Sequence, residues 1–431
     1  MNIKAVGHKP KAKVIRMEKK EQKEDKGQKR LYRNLVLAVI NSLEHIFREG
    51  KYADKIIEQT LKKDPRWGAR DRGFIAETTY ELVRWKRLYS EVAGIKEHYT
   101  NKNVWKMFIA WAVINGYYLP DQWNEVSEVI PEGRIKKKYN ELRQNRKFKE
   151  SIPDWMDELG QEELGDNWTK EIHALNKQAP AVLRVNTLKT TVSNLQNLLQ
   201  KDGIETITLK DYPEALQLVE RKNVFRTQAF QDGFFEMQDA SSQLVADFLD
   251  VEPGMRVVDA CAGAGGKTLH IASKMQNKGL IISMDIYGNK LKELKRRAKR
   301  DGAFNIETRE ITSTKVIKRM QKSADRVLLD APCSGLGVLK RNPDAKWKLK
   351  PEFIDQIKVT QAEILDSYSR MVKVGGQLVY VTCSILPSEN EKQVEKFLEN
   401  HKNFKFIKEN KVSPADSGYD GFYMAQMERI N

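Results

Sequence analysis

Cys261, Cys333 and Cys383 are the only cysteines of this 431-residue chain, and each follows an apolar run. The clearest case is Val327-Leu328-Leu329-Asp330-Ala331-Pro332-Cys333-Ser334-Gly335. The run reads as a buried strand of a parallel sheet. Asp330 stands where that strand should end, and Pro332 stops it and stiffens the turn. Cys383 ends Val379-Tyr380-Val381-Thr382-Cys383-Ser384 in the same way, and Cys261 follows Val257-Val258-Asp259-Ala260. Ligands of open parallel sheets bind beyond the carboxyl ends of the strands, which puts Asp330 and the cysteines on the working edge. One free cysteine is ordinarily a small core residue. A buried structural thiol has no reason to prefer strand ends, whereas a nucleophile must be exposed there and converted to thiolate. The spacing contains no C-x-x-C pair and leaves one cysteine odd, so neither a disulfide frame nor a metal site is expected.

The loop Cys261-Ala262-Gly263-Ala264-Gly265-Gly266-Lys267-Thr268 carries the second chemical signal. Small residues let the backbone turn approach a ligand before a helix begins. Its order misses the G-x-G-x-x-G of a dinucleotide site, and Ala262 stands where a P-loop needs its first glycine. An adenosyl ligand packed on the loop remains. Asp285 ends the next apolar run about twenty residues on, where an acid accepts from both ribose hydroxyls. Capping the following helix is the structural alternative.

Lys plus Arg number 75 against 59 Asp plus Glu, a net charge of +16. That excess favours a polyanion partner, nucleic acid first, over a merely solvated surface. No apolar run approaches the roughly 18 residues of a membrane span, and no secretory segment is legible, so a cytoplasmic monomer with no membrane partner is expected.

These residues need elements to hold them. Residues 1–30 are Lys-rich with almost no large apolar groups and are expected to be a disordered basic tail. Residues 31–150 form a helical domain: Val36, Val39, Ile40, Leu43 and Phe47 share one helix face, Phe74, Thr78, Leu82 and Trp85 a second, and Trp105, Phe108, Ile109 and Ala112 a third. Its end, 131–150, is a basic run with Tyr139 and Phe148 among the charges. That pattern suits single-stranded RNA or, equally, a solvated helix face. Residues 151–240 read as a small α+β linker module with a strand at 182–186. From 241 to 431 strands and helices alternate, with strands at 256–259, 280–285, 326–330 and 377–382 and a helix at 289–300. The fold class is therefore an α/β, Rossmann-like, doubly wound and mostly parallel sheet behind a helical N-terminal domain.

Taken together, Asp259 to Thr268, Asp330 to Gly335 and Thr382-Cys383-Ser384 resemble the motif set of the RNA 5-methylcytosine methyltransferases of the Sun/Nop family. Gln238-Asp239-Ala240-Ser241-Ser242 and Asn342-Pro343-Asp344 support the resemblance, which covers about 151–431. Residues 30–120 resemble, more weakly, the NusB-like domain of the bacterial small-subunit rRNA member, best at Arg70-Asp71-Arg72-Gly73. The resemblance implies S-adenosylmethionine as cofactor and RNA, most of all 16S rRNA, as partner. It implies Cys383 as the nucleophile that adds to cytosine C6, Cys333 as the residue that assists release, and Asp330 as the group bonding the base near N3. Cofactor contacts would come from Cys261, Ala262, Gly263, Ala264, Gly265, Gly266, Lys267, Asp285 and Asp330. The family usually places another acid after the third strand. Ile311 falls there in Arg309-Glu310-Ile311-Thr312, so Glu310 is the substitute, and Gly263-Ala264 replaces the common Ala-Pro. A tRNA substrate, a DNA cytosine methyltransferase using the Pro-Cys cysteine, and a non-catalytic rRNA assembly factor are the competing readings.

Overall fold

The computed structural model describes residues 29–431 apart from 97, 121–122 and 127–129. Most of the expected basic tail therefore lies outside the described residues. Five helices, Arg33–Arg48, Ala53–Leu61, Ala69–Arg84, Lys86–Val92 and Asn101–Ile114, enclose one core. The three expected helix faces supply it: Val36, Val39, Ile40 and Leu43 meet Leu82 and Phe108 there. Arg70-Asp71-Arg72-Gly73 opens the third of these helices and acts on the backbone. Asp71 Oδ2 accepts from Gly68 N at 3.1 Å, and Arg72 donates to the carbonyls of Trp67 and Leu61 at 3.0 and 2.8 Å.

The basic run forms a helix, Glu132–Leu142, and a short turn of helix, Arg146–Lys149. Its aromatic rings pack, half-buried, against the helical core. Tyr139 stacks on Tyr89 with centroids 6.4 Å apart, and Phe148 lies under the Arg87 guanidinium at 4.6 Å. Arg146 is also engaged, gripping Asp157 through two nitrogens at 2.8 and 3.2 Å. Contact with the core gains apolar burial for one part of each ring. Arg134, Lys136 and Lys137 remain exposed.

Within 151–240 two groups form. The helices Asp154–Leu164 and Asn167–Leu175 pack through Met156, Trp168 and Ile172 on Leu336, Leu339 and Leu386 of the C-terminal part. Strands β1 (Val182–Val185), β2 (Thr206–Leu209), β3 (Tyr212–Leu218) and β4 (Phe235–Met237) make an antiparallel sheet in the order β2-β3-β1-β4.

The C-terminal part is a seven-stranded sheet ordered β10-β11-β9-β8-β5-β6-β7. Its strands are β5 (Arg256–Asp259), β6 (Leu280–Asp285), β7 (Ile306–Glu310), β8 (Ala324–Asp330), β9 (Val372–Thr382), β10 (Phe404–Val412) and β11 (Phe422–Arg429). Five strands, β5 to β9, run parallel, and the β10/β11 hairpin adds antiparallel to β9. The apolar runs are continuous because both faces are covered. Val258, Val327 and Leu329 enter one core, and Val257 and Leu328 enter the other. Strand order reverses between β5 and β8, the crevice where such sheets take ligands. No helix among the described residues is long and apolar enough to cross a membrane.

The segment after Cys333 joins the two large parts. Asp344 Oδ2 accepts from Ala53 N at 3.1 Å, at the start of a helix of the N-terminal domain. Lys346, almost fully buried, donates to Arg84 O at 2.8 Å and Asn176 Oδ1 at 2.9 Å. Trp347 Nε1 donates to Val83 O at 2.7 Å.

Candidate active site

The strand ends deliver Asp259, Asp285, Asp330 and Thr382 to one edge of the sheet. Beyond β5 the chain makes the expected small-residue turn. Gly263 and Gly265 take φ of +55° and +88°, and the helix Gly266–Lys274 begins. Only glycine fits at Gly265: a Cβ there would sit 2.5 Å from Leu294 Cγ. The loop is held from both sides. Asp285 Oδ2 accepts from Gly263 N at 2.8 Å, and Arg184 of the small sheet donates to Gly266 O at 2.5 Å.

A cavity of about 460 Å³ opens over this loop. Cys261, Ala262, Gly263, Ala264, Gly266, Lys267, Asp285 and Asp330 line it, as the sequence led us to expect. Gly265 does not, since it is the packing point against Leu294. Glu310 does not either. Its carboxylate lies against Gly288, where an added Cβ would come 2.4 Å from Oε2, and Ile311 faces the cavity instead. Lining residues that sequence reasoning missed are Tyr287, at the start of the next helix, and Ile364 and Tyr368, from the helix Pro351–Ser369. A larger cavity of about 800 Å³, lined by Tyr52, Asp344, Lys348 and Phe353, lies between the helical and C-terminal parts and carries none of these strand-end acids or cysteines.

Asp285 is not the cap of the following helix, whose N-cap is Tyr287. Its Oδ1 accepts from Tyr287 N at 2.8 Å, so both carboxylate oxygens are oriented by backbone. Asp259 is fully buried, with Oδ2 accepting from Thr268 Oγ1 at 2.6 Å and Oδ1 without a partner. Burial pushes its carboxyl up to about 7, the Thr268 bond opposes this, and the Asp330 and Asp285 charges add to it.

Lys267 reaches across to the end of β8. Its Nζ lies 2.6 Å from Asp330 Oδ2 and 5.3 Å from the Phe422 ring centroid. Burial works against its charge, but Asp330 more than offsets this, with smaller help from Cys383 and Asp259, and the ammonium is held above its ordinary value. Cys333 and Cys383 converge from β8 and β9, with sulfurs 3.3 Å apart. The bond with Cys383, then burial, then the Cys383 and Glu389 charges push the Cys333 thiol well above its ordinary value. Cys261 lines the cavity, half-buried beside Asp330, Asp259 and Asp285, and desolvation and those charges push its thiol up. An acid-flanked, raised thiol of this kind makes a poor nucleophile. Among the described residues no cluster of His, Cys, Asp or Glu could hold a metal ion.

Comparison with known proteins agrees with this geometry. Residues 246–428 match the family described as 16S rRNA methyltransferase RsmB/F, and residues 152–225 match its ferredoxin-like domain. "Ribosomal RNA small subunit methyltransferase B" of Photorhabdus laumondii is 32% identical over 297 residues, 67% of this chain and 69% of that protein. "Probable ribosomal RNA small subunit methyltransferase B" of Synechocystis is 37% identical over 258 residues, 59% of this chain. The match spans 58% of the Synechocystis protein and 66% of the Serratia proteamaculans one. Among solved structures, PH0851 superposes with a TM-score of 0.78 at 26% identity, covering 93% of this chain and 99% of that one. A "methyltransferase homolog protein" from Pyrococcus horikoshii gives 0.59 at 26% identity, covering 66% and 97%. With its motifs on one sheet edge and these relatives, the chain belongs to the RsmB/F family of 16S rRNA methyltransferases.

Proposed function

We propose that this chain transfers a methyl group from S-adenosylmethionine to C5 of a cytosine in small-subunit ribosomal RNA. The observation that carries the reading is the pair of cysteine sulfurs 3.3 Å apart, beside a Lys267–Asp330 pair that lines the cavity at the switch point. The cavity suits the cofactor. Asp259 lines the cavity and its buried Oδ1 has no partner, an acceptor that a cationic amino-acid end would satisfy. Asp285, oriented by two backbone N–H groups, keeps further lone pairs for ribose hydroxyls, and Tyr287 and Ile311 offer apolar surface for a base. When bound, S-adenosylmethionine supplies an electrophilic methyl group.

Cytosine C5 is a weak nucleophile, so the protein must first activate the ring. Cys383 adds as thiolate to C6, and the electron pair displaced from the C5–C6 bond makes C5 nucleophilic. Negative charge then spreads toward N3 and O2 of the base. Asp330 accepts from the exocyclic amino group beside N3, and the Lys267 ammonium next to it stabilises the charge that attack creates. After methylation Cys333 takes the C5 proton, the ring electrons return, and Cys383 is expelled. At rest Cys333 is protonated, chiefly because of its contact with Cys383 and its burial. Bonding of Cys383 to C6 removes the first of these causes. Cys333 can then release its proton to water and become a base when that role begins. The target base must leave its stack to reach either sulfur, so an unpaired loop is the better substrate.

The test is methyl transfer from labelled cofactor to unmodified small-subunit rRNA, followed on a denaturing gel. Cys383→Ala should abolish transfer and form no covalent adduct. Cys333→Ala should stall elimination and accumulate an RNase-sensitive protein–RNA band. The opposite pattern would assign the nucleophile to Cys333, and no transfer by the wild type to any RNA would leave a binding protein instead.

A further inference from the structure

Glu389 is fully buried in the short turn Pro387–Glu389 after β9, and none of the steps above uses it. Four bonds converge on its carboxylate. Oε1 accepts from Ser334 Oγ at 2.5 Å and from Ser384 Oγ at 2.6 Å. Oε2 accepts from Ser334 N at 2.7 Å and from Gln361 Nε2 at 3.0 Å. All four donors are neutral. Ser334 directly follows Cys333 and Ser384 directly follows Cys383, so one carboxylate grips both cysteine loops. Gln361 extends the grip, donating also to Pro332 O at 3.0 Å. The next residue, Asn390, repeats the arrangement on one side: it accepts from Thr382 Oγ1 at 2.5 Å and donates to Ser384 O at 3.1 Å.

A carboxylate buried without a cation is costly, and structures keep one only where its lone pairs are filled. Simple stapling of two loops does not demand a charge. A site with four converging donors does demand an acceptor-only group, since an amide would turn two N–H donors toward donors. The charge also lies on the Cys333 side and adds to the causes that keep that thiol protonated, while the ammonium of Lys267 acts with Cys383.

We propose that Glu389 is a positioning residue. Its buried carboxylate locks the loops of Cys333 and Cys383 to each other, keeps the two sulfurs in register, and makes them unequal. The inference rests on the two-cysteine reading above. A sulfur displaced by about 1 Å can cost roughly 10² in rate.

The test uses the full chain and Glu389→Gln, Glu389→Asp and Ser384→Ala. Iodoacetamide labelling of each cysteine, read by peptide mass spectrometry across pH 6.5–9, reports the inequality without RNA or cofactor. Steady-state methyl transfer reports kcat and KM. Glu389→Gln should raise Cys333 labelling relative to Cys383 by about threefold or more at pH 8. It should lower kcat by about 30- to 100-fold and leave KM for RNA within about twofold. Glu389→Asp, which keeps the charge, should recover part of both effects. A folded Glu389→Gln protein with the wild-type labelling ratio and kcat would overturn the proposal. Should Glu389→Gln fail to fold, Ser384→Ala removes one of the four bonds. It should shift the ratio in the same direction by a smaller factor, and an unchanged ratio overturns the proposal equally. Absence of methyl transfer by the wild type would defeat the two-cysteine reading, while the labelling ratio would still decide the role of Glu389.

Discussion

Replacing Lys267 by Met removes a charge that joins the small-residue loop after β5 to Asp330 at the end of β8. The ammonium lies 2.6 Å from Asp330, and the two side chains are 14% and 30% exposed. Exposed ion pairs are worth about 0–1 kcal/mol. Removing one partner of a fully buried pair costs about 3–5 kcal/mol. With one partner nearly buried and the other open to the cavity, a loss of about 2 kcal/mol is expected. For an unfolding slope of roughly 3 kcal/mol per molar urea, the midpoint should fall by about 0.7 M. The catalytic loss should be larger, about 10²–10³ in kcat, because a preorganised donor is removed from where charge develops on the base. Asp330→Asn gives the second arm of a double-mutant cycle, with Lys267→Met/Asp330→Asn closing it. In the double variant no buried charge is left alone, so its stability loss should be smaller than the sum of the two single losses by at least 1 kcal/mol. Additive stability losses, or a Lys267→Met protein with wild-type kcat, would refute the reasoning.

Four further outcomes are expected. Gly265→Ala combines a left-handed backbone with a 2.5 Å contact on Leu294 and should cost about 2–4 kcal/mol; in a Leu294→Ala background the same substitution should cost only about 1 kcal/mol, and equal costs in both backgrounds would remove the clash. Asp259, pushed up to about 7 by burial, is protonated below that pH in the free protein. A cationic ligand favours the ionised form, so affinity for S-adenosylmethionine should fall up to about tenfold per pH unit below 7, with a proton released on binding; calorimetry in two buffers of different ionisation heat reads both, and a flat profile from pH 5.5 to 8 would exclude the contact. Asp285→Ala should weaken the cofactor by about 1.5–3 kcal/mol, and unchanged affinity in a folded protein would remove its ribose role. Neutralising Lys136, Lys137 and Lys138 should flatten the salt dependence of RNA binding by up to about 0.7 for each phosphate they neutralise in the wild type, whereas an unchanged slope would mean that they only solvate the surface.

The strands that end at this site were legible because burial on both faces leaves an uninterrupted apolar run. Leu280–Asp285 and Arg256–Asp259 begin and end where the sequence says. β9 starts earlier than expected, at Val372, because Gly375 and Gly376 inside it read as a turn. The β10/β11 hairpin was missed. β10 is an edge strand exposed along most of its length, and Phe-Lys-Phe-Ile-Lys-Glu-Asn-Lys-Val carries no alternation to betray it. Within the site, the cysteines, Asp330 and the small-residue loop follow from type and position. The contact between Lys267 and Asp330, 63 positions apart, does not. Nor does the burial of Glu389, because an acid in a polar turn looks solvated until Ser334 and Ser384 close over it. The half-burial of Tyr139 and Phe148 against the helical core was not legible in the basic run either, since their partners Tyr89 and Arg87 lie about 50–60 positions away.

Lys346 and Trp347 stand thirteen and fourteen residues after Cys333 and are anchored on carbonyls of Val83 and Arg84. The two large parts of this chain are therefore not interchangeable cassettes. A C-terminal part grafted onto a different helical domain would carry an indole N–H with no acceptor waiting for it and a buried lysine that keeps Asn176 Oδ1 but loses Arg84 O. The misfit would be felt along the segment that leads back to Cys333. Lineages of this protein should accordingly exchange the helical domain rarely, and only together with residues 342–348.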